Sequence, residues 1–313
     1  MIALLLLPLA IPWVLPTLAR RTVARVRPDV ALCAITAAVG VLAAGTIACL
    51  GALVLPLALR LPVLASLVHL LTPLHAGPPV VAYGAAVPAV GALAVSLFAA
   101  VRGVAAELLR LRAARRRIVG LTQAGGLCVV DDDRPDAFAL PGGSRESGRI
   151  VVTSGMLRVL APGEREALLA HERAHLSARH HLFLGFARLA GWCHPALASV
   201  VPEVSFAAER AADEAAARAC GDRRLTARAV GRAALASTPR TAGPPLPVIA
   251  AGSTTGPVPA RVKALLTRAP ARRLSAALVV IVLLCTAAGA SSLAGAVWLH
   301  RGVEVAQGEN PSD

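Results

Sequence analysis

The sequence predicts an α-helical membrane protein with about four transmembrane helices and a cytoplasmic, mostly α (α+β) domain. Three observations lead there: long apolar runs, arginines gathered at the ends of those runs, and one extended polar stretch between them. Hydrophobic residues make up 56 % of the chain, charged residues only 16 %, and mean hydropathy is +0.65. Soluble domains of this length rarely have such a balance.

The first run, Met1 to Ala19, has no arginine or lysine before it, which argues against a cleaved signal peptide. Pro8, Pro12 and Pro16 punctuate it, and membrane helices tolerate proline where neighbours satisfy the freed carbonyls. The second run goes from Val30 to Leu59, the third from Val80 to Val101 and the fourth from Leu274 to Trp298. Between the second and third, Arg60 to Pro79 reads as a loop or interfacial segment. Residues 1–101 are thus an N-terminal membrane region, 102–273 a cytoplasmic domain, 274–299 a fourth transmembrane helix and 300–313 a short extracellular tail.

Arginine sets the orientation. Arg20, Arg21, Arg25 and Arg27, the block from Arg102 to Arg117, and Arg272 with Arg273 all fall on one side of this arrangement. The other side has Arg60, Arg301 and an acidic tail. The positive-inside rule places the N-terminus outside and the polar domain in the cytoplasm of a multi-pass cell-membrane protein. The net charge of +14 is therefore assigned to membrane ends. The arginines form no stripe interleaved with aromatics, so direct nucleic-acid binding is not expected. Six cysteines show no CxxC spacing and no disulfide framework, and they read as small core residues.

Within the polar domain, Arg102 to Ile118 continues the third span as a helix. Leu127 to Val130, Ala137 to Leu140 and Arg149 to Thr153 read as strands, with a turn at Pro141-Gly142-Gly143. A helix begins at Pro162, with Glu164 and Glu166 suited to its positive end. Pro239 to Pro259 reads as a loop.

The chemistry is carried by His171-Glu172-Arg173-Ala174-His175, which fits H-E-x-x-H. On a helix the two histidines lie one turn apart on one face, so both imidazoles reach a single metal. Glu172 sits beside the first ligand, placed to take a proton from the attacking water. Such a zinc (Zn2+) site needs a third protein ligand and an open position. His181 has the spacing of the metzincin third histidine, but Ala178 stands where that pattern needs glycine; the helix is expected to continue, turning His180 and His181 away. His194 remains a minor candidate. Glu209, in the alanine-rich Ala207 to Glu214, is the better one. Asp213, one turn further on, is placed to accept the free N–H of a ligating histidine.

These residues carry a resemblance. Met156-Leu157, Glu166 to His175, and Glu209-Arg210-Ala211-Ala212-Asp213 are similar to the zincin-like gluzincin membrane peptidases with an E-x-x-x-D helix. Two groups share it, the HtpX and CAAX prenyl protease group and the BlaR/MecR-type antirepressor peptidases. Three spans before the motif, one after it, and Trp192-Cys193-His194-Pro195 resemble the BlaR/MecR type more. The resemblance implies zinc held by His171, His175 and Glu209, with Glu172 as general base and Asp213 behind a ligand. Arg261 resembles a family arginine near the site, although the histidine that often precedes it is absent; it is left out of the predicted set. The implied activity is cleavage of a cytoplasmic protein substrate, such as a winged-helix repressor, or HtpX-like quality control. BlaR/MecR receptors have a penicillin-binding sensor after the last span, where this chain has residues 300–313, so β-lactam sensing by that route is not expected.

Other classes fit less well. A transporter would need acidic residues or paired histidines within the spans. A non-catalytic transducer would have no use for Glu172. An intramembrane protease would set the motif in an apolar run, whereas Glu164, Arg165, Glu166, Arg173 and Arg179 surround it.

Overall fold

The computed structural model describes residues 7–58, 79–117, 123–142, 148–237, 257–267 and 275–306. The chain enters through a short helical turn, Leu7–Ala10, and a 3-10 turn, Ile11–Val14, followed by α1 (Leu15–Arg25). From Leu7 onward the first apolar run is thus helical in pieces. Pro12 lies in the 3-10 turn and Pro16 in the first turn of α1, where a missing N–H costs least.

Two long helices follow, α2 (Pro28–Ala58) and α3 (Pro79–Arg117). Helix α2 opens on proline with Asp29 in its first turn, suited to the positive helix end. Helix α3 continues without a break from the apolar run into the arginine block, as the sequence predicts, and absorbs Pro88. Among the described residues, Pro28–Leu55 and Gly84–Arg116 are long and apolar enough to cross a membrane, and Ala276–Ser291 is a shorter apolar helix. The predicted loop from Arg60 falls almost wholly outside the described residues, as does most of the loop from Pro239.

The sheet has the order β1-β2-β4-β3, from β1 (Gln123–Ala124), β2 (Leu127–Val130), β3 (Ala137–Leu140) and β4 (Arg149–Thr153). Strands β2, β3 and β4 have the predicted bounds. β2 runs parallel to β4, with Leu127 opposite Ile150 and Val130 opposite Thr153. β3 pairs antiparallel with β4 and, among the described residues, its other edge has no partner strand. The added strand β1 folds back through Gly125 and Gly126, at φ 57 and 83, angles that a two-residue hairpin turn needs and glycine takes without strain.

Thr153 joins sheet to helix. Its hydroxyl accepts from Met156 N at 3.2 Å, capping α4 (Ser154–Val159), and donates to Arg134 O at 2.7 Å. Gly155 packs directly on the loop before β3, where an added Cβ would lie 2.2 Å from Asp133 O.

Helix α5 (Pro162–Ser177) starts at the predicted proline. Ala161 offers no side-chain acceptor, but Glu164 Oε2 accepts from Ala161 N at 3.0 Å and pairs with Arg232 at 2.9 Å. α5 ends at Ser177 instead of continuing through Ala178. Arg179 takes the left-handed conformation, φ 52, and the chain reverses into α6 (His180–Cys193). After α7 (Pro195–Ala198) comes α8 (Val201–Cys220), closed by Gly221 at φ 68. Asp222 then caps α9 (Arg223–Ala236), accepting from Arg224 N and Leu225 N at 2.8 and 3.0 Å. Helices α10 (Val258–Leu266) and α11 (Ala276–Ala306) complete the described chain.

The main core crosses the boundary drawn from sequence. Ala31, Ile35, Val39 and Leu42 of α2 are buried in one cluster with Leu184 and Ala187 of α6, Val204 and Ala207 of α8, Leu18 of α1 and Ile281 of α11. The first half of α2 therefore packs against the helices that carry the site.

Candidate metal centre

Three helices converge on one buried point. α5 brings His171 and Glu172 on one turn and His175 on the next, α8 brings Glu209 and Asp213, and α10 brings Arg261. The alanines around Glu209 make this possible. Ala207, Ala208 and Ala212 are fully buried, so α8 packs closely on its neighbours with long side chains only where the site uses them.

His171, His175 and Glu209 each offer one ligand atom, all within 4.8 Å of one another. The two Nε2 atoms are 3.0 Å apart, and Glu209 lies 3.5 Å from His171 Nε2 and 3.6 Å from His175 Nε2. A tetrahedral zinc with ligands at about 2.0–2.1 Å sets neighbouring ligand atoms about 3.3 Å apart. The observed spacings lie on both sides of that value. Both Glu209 oxygens and Glu172 Oε2 are buried without a hydrogen-bond partner. Buried carboxylate oxygens left without a hydrogen bond beside two imidazoles fit a divalent cation.

Around these residues lies a second set. Asp213 Oδ1 is 3.0 Å from His171 Nδ1, an ion-pair contact without hydrogen-bond geometry. Arg261 donates to Asp213 through Nε at 2.8 Å and Nη2 at 2.7 Å, and Nη1 lies 2.8 Å from Glu209 Oε2, an ion-pair contact without hydrogen-bond geometry. Arg261, left out of the predicted set, belongs to the cluster. His180, predicted to point away, returns to lie with Nδ1 2.9 Å from His175 Nδ1. His194 is elsewhere: Nδ1 accepts from Ala196 N at 3.1 Å and Nε2 donates to Leu9 O at 3.1 Å.

The pocket favours positive charge on His171 and neutral rings on His175 and His180. Burial alone would depress the His171 imidazole, but the carboxylates of Asp213 and Glu209 beside it outweigh burial and push it up to about 10. Burial would raise Asp213, yet Arg261 and then His171 hold its carboxyl down to about 2. His175 is driven well below the usual histidine range by burial and by the cationic His171, and burial lowers His180 to about 4. Glu172 is raised to about 7, chiefly by burial, while the charge on His171 and the backbone N–H of Ala139 in β3 pull it back. A carboxyl poised there exchanges protons near neutral pH.

The class of protein that this arrangement resembles emerges from comparison with known families. Residues 109–191 match the model of Peptidase family M48, a stretch that holds His171, Glu172, His175 and His180 and ends before Glu209. Among individual proteins, the Protease HtpX homolog of Thermodesulfovibrio yellowstonii is 39 % identical over 51 residues. That is 16 % of this chain, and the match spans only 18 % of the relative's length. No solved structure matches.

Proposed function

We propose that this chain is a membrane-bound, zinc-dependent endopeptidase that cleaves a cytoplasmic protein. The observation that carries this reading is the buried approach of His171, His175 and Glu209, with carboxylate oxygens of Glu209 and Glu172 that have no hydrogen-bond partner. The M48 match over residues 109–191 supports it. Zinc at this point would supply a Lewis acid and lower the pKa of water. Glu172 takes the proton of the attacking water and hands it to the leaving amine. Asp213 and Arg261 orient His171, and Arg261 offsets part of the carboxylate charge. A scaffold without catalysis would need none of this around Glu172.

The substrate adds along β3. This strand ends the sheet, and its Ala139 N–H points at Glu172, so an extended peptide pairing with the free edge passes the site. Four apolar runs would make four spans, and the arginine distribution favours an outside N-terminus and a cytoplasmic peptidase domain. A single-cysteine variant retaining Cys220 is then shielded from an impermeant thiol reagent in intact cells, and labelling there contradicts the orientation.

Resemblance to the BlaR/MecR-type antirepressor peptidases favours a transcriptional repressor in a signalling pathway as substrate. A second reading, HtpX-like quality control of membrane proteins, is favoured by the 39 % identical stretch. Comparing wild-type with Glu172→Gln cells separates the two. A regulator leaves one or a few proteins uncut and shifts a small set of transcripts. Accumulation of many unrelated membrane proteins instead selects quality control.

A further inference from the structure

The reversal after α5 places a second imidazole behind the metal centre. Arg179, at φ 52, is the only non-glycine residue with positive φ among the described residues. That conformation costs about 1–3 kcal/mol in a non-glycine residue and persists only where the surroundings hold it. Its effect is to bring the first residue of α6 back over the last turn of α5. His180 is 2 % exposed, and its ring meets that of His175 edge to face, centroids 4.8 Å apart at 83°.

Two Nδ1 atoms 2.9 Å apart can form one hydrogen bond, with the hydrogen on one ring and the lone pair on the other. The choice is settled on the far side of His175. Its Nε2 faces His171 Nε2 and Glu209 Oε1, at 3.0 and 3.6 Å. A neutral imidazole that offers Nε2 to a metal must keep its hydrogen on Nδ1. His180 must then accept at Nδ1 and keep its own hydrogen on Nε2.

We propose that His180 is a positioning residue, the hydrogen-bond acceptor that fixes the ring orientation and metal-binding tautomer of His175. It does for His175 what Asp213 does for His171. The two supports differ in charge for a physical reason. Glu172, Glu209 and Asp213 already bring three carboxylates to this buried point, with Arg261 as their cation, and one zinc ion brings the total to zero. A neutral acceptor behind His175 orients the ligand without adding a further buried charge, which would be costly.

This inference rests on the metal-centre reading, and the test keeps the two apart. Zinc affinity is measured on the full-length, detergent-solubilised protein by competition with a chromophoric chelator, for the wild type, His180→Asn and His180→Leu. Asparagine puts its amide oxygen close to the Nδ1 position, whereas leucine offers no acceptor. The expected result is binding about 10–100-fold weaker in His180→Leu and within about threefold of wild type in His180→Asn. Should His180→Leu fail to fold, judged by thermal unfolding of the metal-free forms, His180→Gln replaces it. Its amide oxygen falls nearer the Nε2 position, so binding about 10-fold weaker is expected. Unchanged affinity in His180→Leu, or in its His180→Gln replacement, overturns the inference. So does equal loss in His180→Asn, which would make the effect one of packing. A wild-type protein that binds no zinc fails earlier and sinks the metal-centre reading itself.

Discussion

Arg261 holds Asp213 in a two-pronged grip, Nε to Oδ2 at 2.8 Å and Nη2 to Oδ1 at 2.7 Å, across 48 positions of sequence. Asp213 in turn faces His171 Nδ1 at 3.0 Å. The guanidinium thus acts through a carboxylate on the imidazole proposed as a metal ligand, and all three groups are buried. Removing it in Arg261→Ala leaves Glu209 and Asp213 buried without their cation. Breaking a buried pair in this way costs about 3–5 kcal/mol. The metal-free protein should lose about that much stability in chemical denaturation, and zinc should restore part of it. Arg261→Lys should recover little, because an ammonium cannot reproduce the planar fork.

The ligands themselves separate by role. Glu209→Ala, His171→Ala and His175→Ala should each strip zinc from the purified protein. Asp213→Ala should retain zinc with affinity weakened about 10–100-fold, the usual penalty for losing a group behind a ligand. His194→Ala should bind as the wild type does, since His194 contacts Leu9 and Ala196 instead. Metal loss in His194→Ala with retention in Glu209→Ala would show the ligand set to be wrong.

Zinc uptake should release protons. In the metal-free protein His171 is raised from 6.5 to about 10, so it holds a proton at pH 8 that the metal must displace. Titration with zinc in weak buffer should release about one proton per ion, and affinity should climb as pH rises toward about 10. Stability of the metal-free form runs the other way. A raised folded-state value contributes stability that is full below the unfolded value of 6.5 and disappears as pH rises through about 10. Metal-free protein that gains stability over this range would contradict the arrangement.

Much of the site is legible in the sequence because its signals are local. The i, i+4 spacing in H-E-x-x-H and again in Glu209 and Asp213 puts the site's side chains on helix faces without knowledge of the fold. Pro162 marks the start of α5, and short β-branched or aromatic segments between turn residues give β2, β3 and β4. What stays hidden depends on distance or on unusual backbone. Neither Ala178 nor Arg179 is glycine, so nothing local announces the left-handed turn that returns His180 to His175. Arg261 reaches the site from a separate helix, after a loop that fixes no direction. β1 is two residues long, too short to show alternation. The alanine-rich run of α2 is apolar on every side, so its periodicity cannot distinguish the half packed against α6 and α8 from the half that remains for lipid.

The most direct test measures zinc content and peptide cleavage on the same purified preparations of wild type and Glu172→Gln. The account predicts about one zinc per chain in both, cleavage by the wild type alone, and loss and recovery of that cleavage on chelation and zinc return. A Glu172→Gln protein that cleaves at the wild-type rate, or a wild type that cleaves after its metal is removed, would contradict it.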